Sequence, residues 1–274
     1  NQNSIGALLC VPIAMIYIGL IPVSYGALFR YTYAAVLSLP MLFGYAFMKD
    51  SVIVKRNNGK NKNTDWTEYY QKKKSVFSTF TQKFTLDKII DCIDQSLCNE
   101  FGIMELGGGN SCFAERICSE RKVSVYNIID NNELSVDLFK KQKLNTDSHT
   151  GFLINLTDKC ENAVPGYDFV YSIGLIEHFS AEDRDTVIQN HFRYCKPGGH
   201  IMISFPTPTK KYRFWRKIME CLNVWMFWDE IPLRFEDISR SLEQDGEIIK
   251  VELNNKLFLT QTIVLVRKKY EVEA

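Results

Sequence analysis

Glu105-Leu106-Gly107-Gly108-Gly109-Asn110-Ser111 directly follows the apolar run Phe101-Gly102-Ile103-Met104. A carboxylate and three glycines therefore stand where a strand turns toward a helix. Glycine adopts positive φ and lets a ligand approach the main chain without meeting a Cβ. The chemistry suggested is the binding of a nucleotide-type cofactor across a strand-to-helix corner. After the turn, Cys112 to Glu120 has helical spacing, with Phe113, Ile117 and Cys118 on one side. Val123 to Ile129 then reads as a buried strand rich in β-branched residues. It ends at Asp130, about twenty residues past the glycines, where a second parallel strand can deliver an acceptor for ribose hydroxyls.

These features fit a nicotinamide dinucleotide as well as an adenosyl cofactor. Two details separate them. A G-x-G-x-x-G fingerprint read from Gly107 requires a small residue where Cys112 stands. Glu105 precedes the first glycine by two positions, and a carboxylate there would repel a pyrophosphate. S-adenosylmethionine carries an amino group and a sulfonium instead of phosphates, so acidic surroundings suit it.

Glu105-x-Gly107-x-Gly109-x-Ser111 resembles the first motif of the class I S-adenosylmethionine-dependent methyltransferases, with Ser111 where the family has its third glycine. Three further segments resemble that family in order and spacing. Asp130 matches its acid after the second strand, and Tyr167 to Phe179 its fourth-strand motif. Cys195 to Ser204 matches its Pro-Gly-Gly turn into a fifth strand. The resemblance covers roughly residues 64 to 268. It implies that Gly107, Gly108 and Gly109 approach the methionine part of the cofactor and that Asp130 bonds the ribose. It also implies that Asn155 or Leu156 flanks adenine, with Asp158 as competitor for Asn155, and that Ile173 and Gly174 pass near the sulfonium.

Strands and helices alternate over 102–106, 112–121, 123–129, 133–143, 151–156, 168–173, 182–195 and 199–205. Alternation of this kind predicts an α/β fold, a doubly wound, mostly parallel sheet with helices on both faces. Glu247 to Leu253 and Leu259 to Arg267 read as an antiparallel hairpin at the sheet edge, for seven strands in all. Such an ending belongs to the methyltransferase fold rather than to the usual dinucleotide fold. Residues 65–98 predict two helical pieces, with Thr85 as N-cap of the second. In the related enzymes such a layer covers the site, which makes Tyr69, Tyr70 and Phe77 candidate lining residues.

Charge is distributed unevenly along the chain. The 274 residues carry a formal net charge of +1, which leaves no broad electrostatic footprint for nucleic acid. Yet Arg30 is the sole charged side chain in residues 1–48. Ile5 to Phe29 and Tyr31 to Met48 are uncharged runs near the roughly 20 residues that cross hydrocarbon as a helix. Pro12, Pro22 and Pro40 are better tolerated in membrane spans than in soluble helices. Two spans, forming a hairpin, are expected over 1–48. A basic, polar linker follows over 49–63, and the methyltransferase domain occupies 64–274. Lys49, Lys55, Arg56, Lys60 and Lys62 place that domain on the cytoplasmic side by the positive-inside rule. A start at Asn1 rather than methionine is compatible with the spans ending a longer membrane protein. The eight cysteines show no C-x-x-C spacing, which argues against a zinc ribbon, and no metal site is expected.

An open parallel sheet binds ligands at the carboxyl ends of its strands, where the chain order reverses. That locates the site between Glu105-Gly107 and Ser172-Gly174. Glu177 and His178, at the end of the fourth-strand motif, are the candidates for a general base, with capping of the next helix as their competing role. Lys210 to Lys217 interleaves basic residues with Tyr212, Phe214 and Trp215, and an apolar patch follows through Trp228. This segment is expected to face the membrane as a substrate lid, with a helix bearing a solvated basic face and RNA binding as the competing readings. The expected function is methyl transfer from S-adenosylmethionine to a lipid, a lipid-linked glycan or another hydrophobic molecule at the bilayer. A soluble sugar or metabolite as acceptor, a non-catalytic cofactor-binding scaffold, and a nicotinamide oxidoreductase are the alternatives.

Overall fold

A single twisted sheet organises the chain. The computed structural model describes residues 64–71, 76–96, 99–161, 163, 166–221, 225–256 and 259–270. The expected spans over 1–48 and the linker over 49–63 lie outside the described residues. Among those described, no helix is long and apolar enough to cross a membrane. By its contacts the chain divides into a larger unit that holds the sheet and a smaller one that includes Arg216–Trp225.

The larger unit opens with α1 (Trp66–Gln71) and α2 (Val76–Ser96). Then come β1 (Phe101–Leu106), α3 (Ala114–Glu120), β2 (Val123–Asp130), α4 (Glu133–Lys140) and β3 (Ser148–Leu153). β4 (Tyr167–Ile173), α5 (Ala181–Tyr194) and β5 (Cys195–Pro206) complete the parallel part. α6 (Lys210–Cys221), α7 (Ser239–Asp245), β6 (Gly246–Asn254) and β7 (Gln261–Lys268) follow. The seven strands lie in the order β3-β2-β1-β4-β5-β7-β6. β1 to β5 pair in parallel, and β7 runs antiparallel to both β5 and β6. The expected sheet is therefore observed, and the closing hairpin forms its edge with β6 outermost.

Alternation along the strands separates two cores. Phe101, Ile103, Tyr126, Ile128, Phe169 and Tyr171 face Ile89 and Ile93 of α2, Ile117 of α3 and Phe139 of α4. Met104, Leu106, Ile129, Val170, Ile201 and Ile203 face Val187, Ile188 and Phe192 of α5 and Leu242 of α7. Each fully buried large side chain contributes roughly 1.5–3 kcal/mol, so a central strand buried on both faces is held firmly. All six residues of β1 are buried, and the turn that follows it inherits that rigidity.

Three expectations need correction. The third strand ends at Leu153, three residues before the expected 156, because Ser148 to Leu153 pair with Val125 to Asp130 and leave Ile154 to Leu156 beyond the sheet. Thr85 does not cap a helix, since α2 runs through it and its hydroxyl donates to the Thr81 carbonyl one turn back, at 3.2 Å. The Pro-Gly-Gly segment lies within β5 rather than ahead of it, at a break in the pairing register. Tyr167 pairs with Cys195 and Phe169 with His200, and Gly198 takes φ +74°.

Candidate active site

β1 delivers its carboxylate beneath the glycine turn. Glu105 is 3% exposed and faces the first core, level with Tyr171 on β4. The Tyr126 hydroxyl donates to Glu105 Oε2 at 2.7 Å. Tyr126 also shares hydrogen bonds with Tyr171 at 2.5 Å and Ser111 at 3.3 Å. Burial pushes the Glu105 carboxyl up to about 7, although the Ser111, Tyr126 and Tyr171 hydroxyls favour its ionised form. Glu105 is thus a brace under the turn rather than an open charge on it. A Cβ on Gly108 would lie 2.8 Å from Glu105 Cγ, so glycine is required for the backbone to cross over this side chain.

Gly107 and Gly109 take φ values of +64° and +50°. The Gly107 N–H donates to the Ile129 carbonyl at 2.8 Å, which ties the turn to β2. Ser111, in the position of the third glycine, has a use of its own. Its hydroxyl accepts the Ala114 N–H at 3.1 Å, the first N–H of α3, from two residues ahead of the Phe113 N-cap. Asp130, at the end of β2, accepts the Asn132 N–H at 2.8 Å, and the nearby Gly109 and Asn131 N–H groups favour its ionised form. Burial still raises its pKa above the ordinary carboxylate value. Acid and glycine turn therefore form one continuous rim.

Tyr70 of α1 lies against that rim. A Cβ on Gly109 would fall 1.9 Å from its hydroxyl. Burial first, then the Asp130, Tyr69 and Glu105 charges, raises the Tyr70 pKa, so the phenol is neutral. Tyr69 is 37% exposed and packs with Trp66 and Phe227, while the Phe77 side chain lies outside what is described.

The adenine candidates are placed unequally. Asn155 is exposed and its Oδ1 accepts the Thr157 N–H at 3.3 Å. Leu156 is buried in the second core, and its carbonyl accepts the Asn190 amide at 2.9 Å. Asp158 is exposed and shares that amide through its own carbonyl. Ile173 ends β4, and Gly174 follows with φ +66°, its N–H donating to Ser204 on β5 at 2.8 Å.

Glu177 and His178 lie in a short 3-10 turn, Ile176–His178, just past Gly174. The capping role belongs instead to Ser180, whose hydroxyl accepts the Asp183 N–H at the start of α5. Glu177 is 1% exposed, its Oε2 has no hydrogen-bond partner among the described residues, and burial with the nearby Glu230 charge raises its pKa well above the ordinary value. Burial lowers the His178 pKa, so the ring is neutral and its Nδ1 donates to Asp229 Oδ1 at 3.1 Å. Burial opposes ionisation of Asp229, yet the Thr64 hydroxyl and His178 together hold it below the usual range. Trp66 stands edge-on to the His178 ring with centroids 5.0 Å apart. Glu230 accepts the hydroxyl of Tyr212, which buries this member of the basic-aromatic segment instead of presenting it to a membrane.

Sequence reasoning missed Thr64, Trp66, Asp229 and Glu230, and placed Phe227 only in the apolar patch after Lys217. Nothing local to those residues signals that they meet His178, because α2 to β4 separate it from Thr64 and Trp66, and α5, β5 and α6 separate it from Asp229 and Glu230. Tyr126 and Tyr171 were within reach of it, since strand alternation puts both on the face of Glu105. His191 and His200 are not brought to this site: His191 is fully buried between the Val187 carbonyl and the Ser172 hydroxyl, and His200 sits in β5.

Solved structures share this fold. Magnesium protoporphyrin IX methyltransferase (ChlM) from Synechocystis PCC 6803 with bound SAH is 14% identical, with a TM-score of 0.56, covering 74% of this chain and 93% of its own. A SAM-dependent methyltransferase from Methanosarcina mazei is 15% identical at TM-score 0.53, over 65% of this chain and 97% of its own. An exported-protein candidate from Bordetella parapertussis is 14% identical at TM-score 0.55, over 68% and 67%. No protein-family model matches the chain, and no curated protein does.

Proposed function

We propose that this chain transfers a methyl group from S-adenosylmethionine to an acceptor reached at a membrane surface. The observation that carries the reading is the shared rim of Gly107, Gly109 and Asp130, in which a Cβ would collide at either glycine and the carboxylate is held by the Asn132 N–H. Those residues fit the cofactor once Tyr70 and Leu175, whose side chains lie against Gly109 and Gly107, move aside: the glycines then offer bare main chain, and Asp130 supplies an acceptor for ribose hydroxyls. When bound, S-adenosylmethionine supplies an activated methyl group. Glu105 braces the turn from below, and Tyr70 closes one side of it against water. His178, neutral and oriented by Asp229, holds a lone pair on Nε2 that can take a proton from a hydroxyl or amine acceptor. The uncharged runs in residues 1–48 and the basic stretch after them support delivery of a hydrophobic acceptor from the bilayer.

Calorimetric titration of S-adenosylmethionine into the full-length chain is expected to show one equivalent bound. Asp130→Ala is expected to weaken it at least tenfold, about 1.4 kcal/mol. Binding of NADH with no response to S-adenosylmethionine would overturn the reading. With cell membranes as acceptor source, label from the methyl donor is expected in the organic phase. Label confined to the aqueous phase points to the soluble-acceptor alternative.

A further inference from the structure

We propose that Glu177, His178 and Glu230 form a binding site for a divalent transition cation. One ligand atom from each lies within 4.8 Å of the other two, and Glu177 is buried while His178 and Glu230 are half-buried. The independent sign of a ligand is Glu177 itself. It is 1% exposed, and its Oε2 meets no hydrogen-bond donor among the described residues. A buried carboxylate oxygen without a donor carries a desolvation penalty that a proton or a cation must offset. Asp229 adds a third carboxylate to the same cluster, which sharpens the demand for positive charge.

The set has the supporting structure a metal site needs. Asp229 holds His178 through Nδ1 at 3.1 Å, leaving Nε2 as the nitrogen with a lone pair, and Thr64 in turn donates to Asp229. Glu177 and His178 are fixed by the 3-10 turn, and the Ile231 N–H on the Glu177 carbonyl, at 2.9 Å, anchors the segment that carries Glu230. Two carboxylates and one imidazole suit Mn²⁺, Fe²⁺ or Zn²⁺. An ion about 2.1 Å from each ligand would draw the three together and release the Tyr212 hydroxyl from Glu230. Three protein ligands leave coordination positions open, so the ion can present an acceptor oxygen beside Gly174 and ease its deprotonation itself, replacing His178 as proton acceptor because the ion then occupies the Nε2 lone pair. That role rests on the methyl-transfer reading, whereas the binding of the ion does not.

The test uses the tag-free full-length chain. Mn²⁺ is titrated while its free aquo signal is followed by electron paramagnetic resonance, and Zn²⁺ is titrated by calorimetry. One equivalent is expected, with Glu177→Gln and Glu230→Gln each weakening it at least tenfold. Asp229→Asn is expected to weaken it about tenfold through the orientation of His178. Cooperative thermal unfolding of each variant separates loss of the site from loss of the fold. A folded wild type that binds neither ion overturns the proposal, as does binding that both Gln variants leave unchanged. S-adenosylmethionine binding is measured in parallel: its absence beside intact metal binding sinks the methyl-transfer reading and leaves this site standing.

Discussion

Gly109→Ala is expected to lower stability by about 2–5 kcal/mol and to weaken S-adenosylmethionine binding more than tenfold. Two costs add. At φ +50° the residue lies in the left-handed region, where an L side chain costs about 1–2 kcal/mol. The new Cβ would also lie 1.9 Å from the Tyr70 hydroxyl oxygen and 2.4 Å from Cζ, and overpacking of this kind costs about 1–3 kcal/mol. Tyr70 must swing away, so the rim loses the wall that shields it. The two costs separate in a double-mutant cycle with Tyr70→Ala, measured by denaturant unfolding and calorimetry. The collision disappears in the double variant, leaving only the backbone cost, so the pair is expected to be less than additive. Gly102→Ala serves as control, because its nearest atoms are 3.6 Å away and the change is expected to be near neutral. Strict additivity of Gly109→Ala and Tyr70→Ala would show that Tyr70 does not press on the turn.

The rim was legible in the sequence because the chemistry of a strand-to-helix turn is local. Gly107, Gly109 and Asp130 announce themselves by residue type and by about twenty residues of spacing, and parallel pairing of β1 with β2 does the rest. The sheet was legible for the same reason: β-branched runs separated by helical spacing leave few topologies. The third strand was misplaced because Ser148, His149 and Thr150 are polar and lack the apolar run or alternation that marks a strand. Their pairing with Val125 to Asn127 overrides that lack of pattern. The role of Glu105 was half legible. Its position was evident, but whether its charge faces a ligand or two tyrosines depends on strand register, and the hydroxyls of Tyr126 and Tyr171 decide for the interior. The Glu177–His178 cluster was legible only on one side. The 3-10 turn is in the fourth-strand motif, but its partners Asp229 and Glu230 arrive from a segment with no periodicity to place it.

The buried network also makes two pH predictions of opposite sign. Burial pushes Glu105 up to about 7 from an ordinary 4.5, so the folded chain binds more protons than the unfolded one between those values. Stability from this group therefore falls as pH rises from about 4.5 to 7, by about 3 kcal/mol at 1.36 kcal/mol per unit. His191 behaves in reverse. Burial drives it down to about 4 from 6.5, against the Val187 carbonyl that accepts its Nδ1–H. The folded chain then binds fewer protons between pH 4 and 6.5, and stability is lost as pH falls through that window, again by about 3 kcal/mol. Glu105→Gln keeps an acceptor for Tyr126 and removes the charge, so its stability relative to the unaltered chain should climb from pH 4.5 to 7. His191→Gln should show a relative stability that declines from pH 4 to 6.5. Guanidinium unfolding at half-unit pH steps reads both, and referring each variant to the unaltered chain cancels the other titrating groups, Glu177 among them. Parallel profiles for Glu105→Gln and the unaltered chain would mean that Glu105 keeps an ordinary carboxylate pKa. In that event the turn would rest on a fully charged group, and repulsion of a pyrophosphate would be stronger than its burial implies.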